Sequence, residues 1–403
     1  MALDAADPLA PIRARFLLAD PGVIYLDGNS LGRLPASVPE RLSALARQEW
    51  GERLIRSWNE GWIDLAARTG DLVGSLVGAA PGQVVVADST TVNLYQLAAA
   101  ALRASGRREI VTDLGNFPTD RYVLAGLAQQ LGMTVRMAEP DPAAVAAVVG
   151  PDTALVAFSH VDYRSGAVAD MDAINAVAHA AGAQTLWDLS HSAGALPVEL
   201  DRTGSDLAVG CTYKYLNGGP GAPAFLYVRA DLQATLTPPI QGWFGQREQF
   251  AMAPDYDPVP GVGRFLAGTP HIAGIVCVEE GARVIADAGV PALRAKSLAQ
   301  TALVIEFADA WLAEYGVRVG SPRQPERRGS HVALIHPDGY RISRALAEQA
   351  DVIVDFRRPD VIRLGVTPAY VSYTDVWDAM ERLRDVLASG AYTALDPTPS
   401  RVT

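Results

Sequence analysis

The sequence predicts an α/β protein: a large domain with a mostly parallel sheet covered by helices on both faces, then a smaller α+β domain. Three observations carry this expectation. Short apolar runs bounded by Gly, Asp or Pro recur at 84–87, 109–112, 154–159, 185–187, 207–212 and 223–228. Between several of them lie stretches with helical spacing, at 91–102, 119–131 and 171–181, which is the alternation of strand–helix–strand units. The chain has 403 residues, more than a single core usually serves, so two domains are expected.

After about residue 275 the pattern changes. Helical stretches at 273–288 and 291–315 precede strand candidates at 317–320, 331–334, 352–355 and 361–366, and a last helix covers 374–388. This predicts an N-terminal segment (1–55) partly joining the small domain, a large domain (56–275) and a small C-terminal domain (276–403). The Pro- and Gly-bearing stretch 255–269 reads as an irregular binding loop between the two.

Composition narrows the function. Lys and Arg number 34 against 45 Asp and Glu, a net charge of −11 that argues against a nucleic-acid partner. No apolar run is long enough for a membrane span, and Asp4, Asp7, Arg13 and Arg15 argue against a signal peptide. The two cysteines, Cys211 and Cys277, lie far apart and have no neighbours at metal-ligand spacing. The expectation is a cytoplasmic protein with no disulfide and no metal.

The segment from Gly210 to Ala224 reads GCTYKYLNGGPGAPA. Lys214 thus follows an apolar strand and precedes a Gly/Pro-rich loop, where backbone approaches a ligand closely. Taken alone, it is an ordinary lysine at a strand end. Asp188, in Trp187-Asp188-Leu189-Ser190-His191, closes the preceding predicted strand. Open α/β sheets bind ligands at the carboxyl ends of their strands. A carboxylate there suits a pyridinium nitrogen, keeping the ring protonated as an electron sink. It would equally cap a helix, but a cap does not require a lysine on the next strand. Asp88-Ser89-Thr90-Thr91 precedes a helix expected from Val92, either as a plain N-cap or as an anion site suited to phosphate. Asn116-Phe117-Pro118-Thr119-Asp120 offers an aromatic face, and His191 is positioned to orient Asp188 through a hydrogen bond.

These residues resemble the fold-type-I pyridoxal-phosphate enzymes, and among them the kynureninases, which hydrolyse kynurenine to anthranilate and alanine. The resemblance covers nearly the whole chain. It rests on Tyr25-Leu26-Asp27-Gly28-Asn29-Ser30-Leu31-Gly32, Trp58-Asn59-Glu60-Gly61-Trp62, Thr91-Val92-Asn93-Leu94 and Phe117-Pro118-Thr119-Asp120. It rests also on the Asp188–His191 segment, and above all on Tyr213-Lys214-Tyr215-Leu216-Asn217 with Gly242-Trp243-Phe244-Gly245. One departure is the proline content of the loop after Asn217.

The resemblance implies a seven-stranded large-domain sheet, pyridoxal phosphate as cofactor, L-kynurenine as substrate and a homodimer with shared sites. It implies that Lys214 is the Schiff-base lysine and shuttles the Cα proton, that Asp188 pairs with the ring nitrogen and that Phe117 stacks on the ring. Thr90, Thr91, Pro118, Thr119, Asp120, Ser159, His191 and Tyr213 would line the cofactor site, with Trp243 and Thr269 reaching it from the partner subunit. Arg363 would clamp the substrate α-carboxylate with its planar fork, Ser30 and Trp58 would join the substrate site, and Tyr213 would protonate the carbanion left by cleavage. Relatives preferring 3-hydroxykynurenine carry His and Asn where Trp58 and Thr269 stand, so this pair implies a preference for L-kynurenine.

Within the same scaffold, a cysteine desulfurase needs a thiolate on a mobile loop. Cys211 and Cys277 sit instead in apolar stretches. A class-V aminotransferase shares the Asp, Lys and Arg but not both the Tyr-Lys-Tyr and Gly-Trp-Phe-Gly blocks. A silent cofactor-binding regulator would be expected to lack some of Asp188, Tyr213, Lys214 and Arg363, all of which are present.

Overall fold

The computed structural model describes residues 2–18, 20 and 22–398. A short strand β1 (Ile24–Tyr25) precedes the strands of a seven-stranded sheet: β2 (Val84–Ala87), β3 (Glu109–Thr112), β4 (Thr134–Met137), β5 (Thr153–Ser159), β6 (Gln184–Asp188), β7 (Leu207–Gly210) and β8 (Ala224–Val228). Their order is β2-β8-β7-β6-β5-β3-β4, and only β8 runs antiparallel to its neighbours. The central strands are buried at nearly every position, because helices cover both faces. That double burial makes them continuous apolar runs, which is why they are visible in sequence. β4 was not expected. It is an edge strand with mostly exposed side chains, so its residues Thr-Val-Arg-Met form no apolar run.

The helix Thr90–Ser105 shows how the sheet is covered. Ser89 caps it by accepting from Val92 N, and Gly106 ends it at φ 70°, a left-handed conformation that glycine adopts freely. Leu94, Leu97 and Ala98–Ala101 are buried, so small side chains let the helix lie close on the sheet. Removing a leucine such as Leu97 from water contributes about 2 kcal/mol.

In the C-terminal part, β9 (Arg318–Val319), β10 (His331–Ile335), β11 (Val352–Ile353), β12 (Asp355–Arg357) and β13 (Val361–Gly365) follow. An antiparallel sheet has the order β12-β13-β10-β9. The single strand expected at 352–355 is in fact two: β11 pairs in parallel with β1, whereas β12 pairs with β13. The stretch has two different partners, and one straight strand cannot serve both. The helix expected over 291–315 runs as a regular α-helix only over Val290–Phe307 and continues in irregular turns to Tyr315. The final helix, Tyr373–Ser389, starts with a capping box between Ser372 and Asp375.

Residues 26–32 run from the small sheet to the loop that carries Lys214. Gly365 N donates to Leu26 O and Gly32 N donates to Tyr213 O, both at 2.7 Å. Close approach requires glycine at both places. A Cβ on Gly32 would lie 2.3 Å from Lys214 O, and one on Gly365 1.8 Å from the Asn29 side-chain amide.

Candidate active site

The parallel strands all end at the same edge of the large sheet, and the segments leaving them enclose a cavity of about 280 Å³. From β2 come Asp88 to Thr91, from β3 Phe117, Thr119 and Asp120, from β5 Ser159 and Tyr163, from β6 Asp188, Ser190 and His191, and from β7 Tyr213 and Lys214. The covering helix starts at Thr90 rather than Val92, so Thr90 and Thr91 form its first turn. Amides of a first helical turn have no intrahelical acceptor and face an anion favourably.

Asp188 Oδ1 accepts from Ser190 N at 2.7 Å. Asp120, buried in the first turn of the helix Pro118–Leu131, hydrogen-bonds Asp188. Burial, and then the charge of Asp188, push the Asp120 carboxyl well above its ordinary range. A hydrogen bond between two carboxyl groups needs a proton, and this upward push on Asp120 favours keeping one in the pair. Lys214 Nζ lies 2.9 Å from His191 Nε2. This corrects the expected role of His191, which sits at the lysine and not at Asp188. Burial and the neighbouring Lys214 charge hold its imidazole neutral, well below the ordinary histidine range. The Tyr213 phenol is pushed upward by the adjacent Cys211 sulfur and by burial, so it keeps its proton. Phe117 is half-exposed and meets Tyr163 edge-on, with ring centroids 5.3 Å apart. Ser159 Oγ donates to Asn116 Oδ1 at 2.8 Å.

The small sheet forms a second wall behind the cavity: none of its residues lines that space, and Arg363 and Ser30, expected in the substrate site, lie outside the lining, with Arg363 touching it through Tyr163 O. Its register places Asp355, Arg363 and Ala333 side by side, and the two-residue period of a strand adds Arg357 and His331 to that face. Arg363 is 1% exposed. It pairs with Asp355, donates to Tyr163 O and, at 3.1 Å, to Ser30 Oγ. Asn29, with its amide oxygen turned to the guanidinium, accepts from Nε and Nη2 at 3.2 Å. Burial lowers the Arg363 pKa to about 10, which leaves it a cation at neutral pH. Arg357 shares Asp355, at 3.2 Å, and is the more exposed of the two arginines.

A family profile described as the kynureninase C-terminal domain matches residues 293–383. Among curated proteins, the kynureninase of Pseudomonas fluorescens is 46% identical over 395 residues, covering 96% of this chain and 94% of its own. That of Burkholderia pseudomallei is 45% identical over 402 residues, covering 98% and 96%.

The chain belongs to the kynureninase family.

Among solved structures, a cysteine desulfurase from Thermococcus onnurineus has the same fold, with a TM-score of 0.81 at 21% identity over 94% of this chain and 98% of that one. So does a C-DES structure described with glycine covalently linked to its PLP cofactor, at TM-score 0.81 and 21% identity over 93% and 99%.

A kynureninase implies pyridoxal phosphate, and the cavity fits it. An amine, a hydrogen-bonded pair of carboxyl groups, an aromatic side chain and the open amides of a first helical turn all line one space. Pro118 starts its helix as expected but does not line the cavity. Trp58, Trp243 and Thr269 do not line it within one chain either. Trp58 packs against Trp62 and Phe244, and Trp243 against Phe244 and Phe250. Sequence reasoning missed Tyr163, His331, Asp355 and Arg357. No motif marks them, and only the alternation within β10 and β12 hinted that His331, Asp355 and Arg357 face one way. The thiols suit no nucleophilic role: burial raises the pKa of Cys211, and of half-buried Cys277.

Proposed function

We propose that this chain is a pyridoxal-phosphate-dependent hydrolase that cleaves the Cβ–Cγ bond of L-kynurenine with water, yielding anthranilate and L-alanine. The observation that carries this reading is the single cavity shared by the Lys214 amine, the Asp120–Asp188 pair and the first turn at Thr90, in a chain similar over nearly its full length to kynureninases.

When bound, the cofactor ring supplies a sink for the electron pair left by the substrate α-proton. The remaining work falls to side chains. Lys214 takes the α-proton, with His191 Nε2 beside its Nζ. Asp188, hydrogen-bonded by Asp120, would pair with the ring nitrogen. Thr90 and Thr91 hold the phosphate through amides and hydroxyls. Arg363 supplies the fixed charge for the substrate carboxylate, oriented by Asp355, Ser30 and Asn29. Tyr213, which keeps its phenolic proton, delivers a proton to Cβ as the bond breaks.

The assignment extends to a homodimer. Trp50, Ile55, Phe250 and Met252 are 69–76% exposed, and the aromatic contacts of Trp58 and Trp243 tie these two segments together. Such an apolar surface fits a subunit interface through which Trp243 and Thr269 reach the partner's cavity. A division into two domains near residue 275 and a cytoplasmic setting, consistent with two free thiols, complete the proposal.

The test is to add L-kynurenine to the purified holoenzyme and follow anthranilate fluorescence and alanine. Equal amounts of both are expected. A normal cofactor absorption band with no anthranilate would refute the activity and leave the cofactor assignment intact. A higher kcat/KM for 3-hydroxykynurenine would refute the preference assigned to Trp58 and Thr269.

A further inference from the structure

The Arg363 guanidinium is bonded by Asp355, Ser30, Asn29 and the backbone carbonyl of Tyr163. Of these four residues, only Tyr163 lines the cavity that holds Lys214 and Asp188. A guanidinium has five N–H donors. Nη2 gives its two to Asp355 and Ser30, Nε gives one to Asn29, and Nη1 gives one to Tyr163 O. One Nη1–H is left without a partner among the described residues, on the nitrogen that Tyr163 holds.

The turn carrying Tyr163 is tied down at several points. Val161 and Val168 form an antiparallel bridge across it, and Asp162 Oδ1 accepts from Ser165 N at 2.6 Å. The connection between β9 and β10 binds it as well: Ser321 Oγ donates to Ser165 O, and Gly329 N donates to Gly166 O at 2.7 Å. Gly166 stands at φ 74°, where a Cβ would lie 2.8 Å from His331 O. The Tyr163 ring meets the cavity-lining Phe117 edge-on, with centroids 5.3 Å apart and planes at 87°. Edge-to-face is a preferred arrangement of aromatic pairs, so the contact sets an orientation as well as a distance. One residue thus touches the large-sheet wall with its ring and the arginine with its backbone.

We propose that Tyr163 is a positioning residue for Arg363: its ring, seated against Phe117, places its carbonyl, and the carbonyl holds the guanidinium so that the open Nη1–H meets the carboxylate of an amino-acid substrate. This deepens the reading of Arg363 as the carboxylate's partner and rests on it.

The test compares the wild-type holoenzyme with Tyr163→Leu, Tyr163→Met and Tyr163→Phe, using L-alanine and L-alaninamide as probes. The amide lacks the carboxylate, and binding is read from the cofactor absorption band without turnover. The wild type is expected to bind L-alanine more tightly. Loss of the ring in Tyr163→Leu is expected to cut that preference about tenfold, the scale of one charge-assisted hydrogen bond, and to raise KM for L-kynurenine more than it lowers kcat. Tyr163→Phe keeps the ring and is expected to restore most of both. Tyr163→Met supplies a second ring-free side chain if Tyr163→Leu does not fold. An unchanged preference in the ring-free variants overturns the proposal, whether both probes bind as before or both weaken alike, because packing alone would then be affected. A Tyr163→Phe variant as impaired as Tyr163→Leu also overturns it, since the phenol rather than the ring would be at work. A wild type without any preference removes the carboxylate role of Arg363 and this proposal with it. If L-kynurenine is not cleaved, the hydrolase reading fails, while the ratio of the two probes still judges Tyr163.

Discussion

The two walls of the site are built differently: the large-sheet wall lines the cavity, and the small-sheet wall lies buried behind it. On the large-sheet side, each functional group follows directly from the end of a strand and reaches open space: Asp188 after β6, Tyr213 and Lys214 after β7, Thr90 after β2. On the small-sheet side, Arg363, Asp355 and His331 are at most 1% exposed and meet only because three antiparallel strands are in register. The first wall carries chemistry on loops and depends little on it for stability. In the second, the charged groups are part of the core, so function and folding share the same contacts.

The strongest way to break this contrast is to remove one group from each wall. Lys214→Ala is expected to reduce turnover by about 10⁴-fold while changing the melting temperature little, since it deletes a proton-transfer group rather than a core contact. A large loss of thermal stability in that variant would erase the distinction. Arg363→Met should lose both properties. Removing the buried guanidinium that pairs with Asp355 is expected to cost about 3 kcal/mol in denaturant unfolding, besides the loss of activity. Gly365→Ala tests the packing of the same wall without touching a charge. Its Cβ would overlap the Asn29 amide, and a loss of about 2 kcal/mol is expected from the unfolding midpoint.

The smallest effect comes from a buried carboxyl outside the cavity, on the large-sheet side. Asp113, in the loop after β3, is pushed up to about 6 by burial and by the charges of Asp162 and Glu139. Its folded pKa lies above the usual 3.8, so its favourable contribution is complete below about pH 4 and is lost as pH rises through 6. Asp113→Asn should therefore be more stable than the wild type by about 1 kcal/mol at pH 8 and gain nothing at pH 4, allowing for partial solvent screening. Chemical denaturation at the two pH values measures this, and an equal gain at both would show that ionisation is not the cause.

Sequence reading reached these walls unequally. Strands buried on both faces stand out as apolar runs, and their ends mark Asp188 and Lys214. The edge strand β4 lacks that signature and was missed. His191 was visible, but its direction was not. The Ser190 N–Asp188 Oδ1 bond satisfies Asp188 locally, and the turn carries the histidine to Lys214. The division of 352–355 into β11 and β12 was hidden for a related reason, since it depends on partners 24–25 and 361–365 that are distant in sequence.

By itself the sequence determined the α/β alternation, the strand-end positions of Asp188 and Lys214 and the helix start beside Thr90, because each depends on neighbours within one strand–loop–helix unit. Only the tertiary structure decided that Asp120 hydrogen-bonds Asp188, that Asp355 and Arg357 stand with Arg363, and that His331 lies against His191. Those arrangements depend on burial and on strand register, which sum contacts between segments that no local pattern connects.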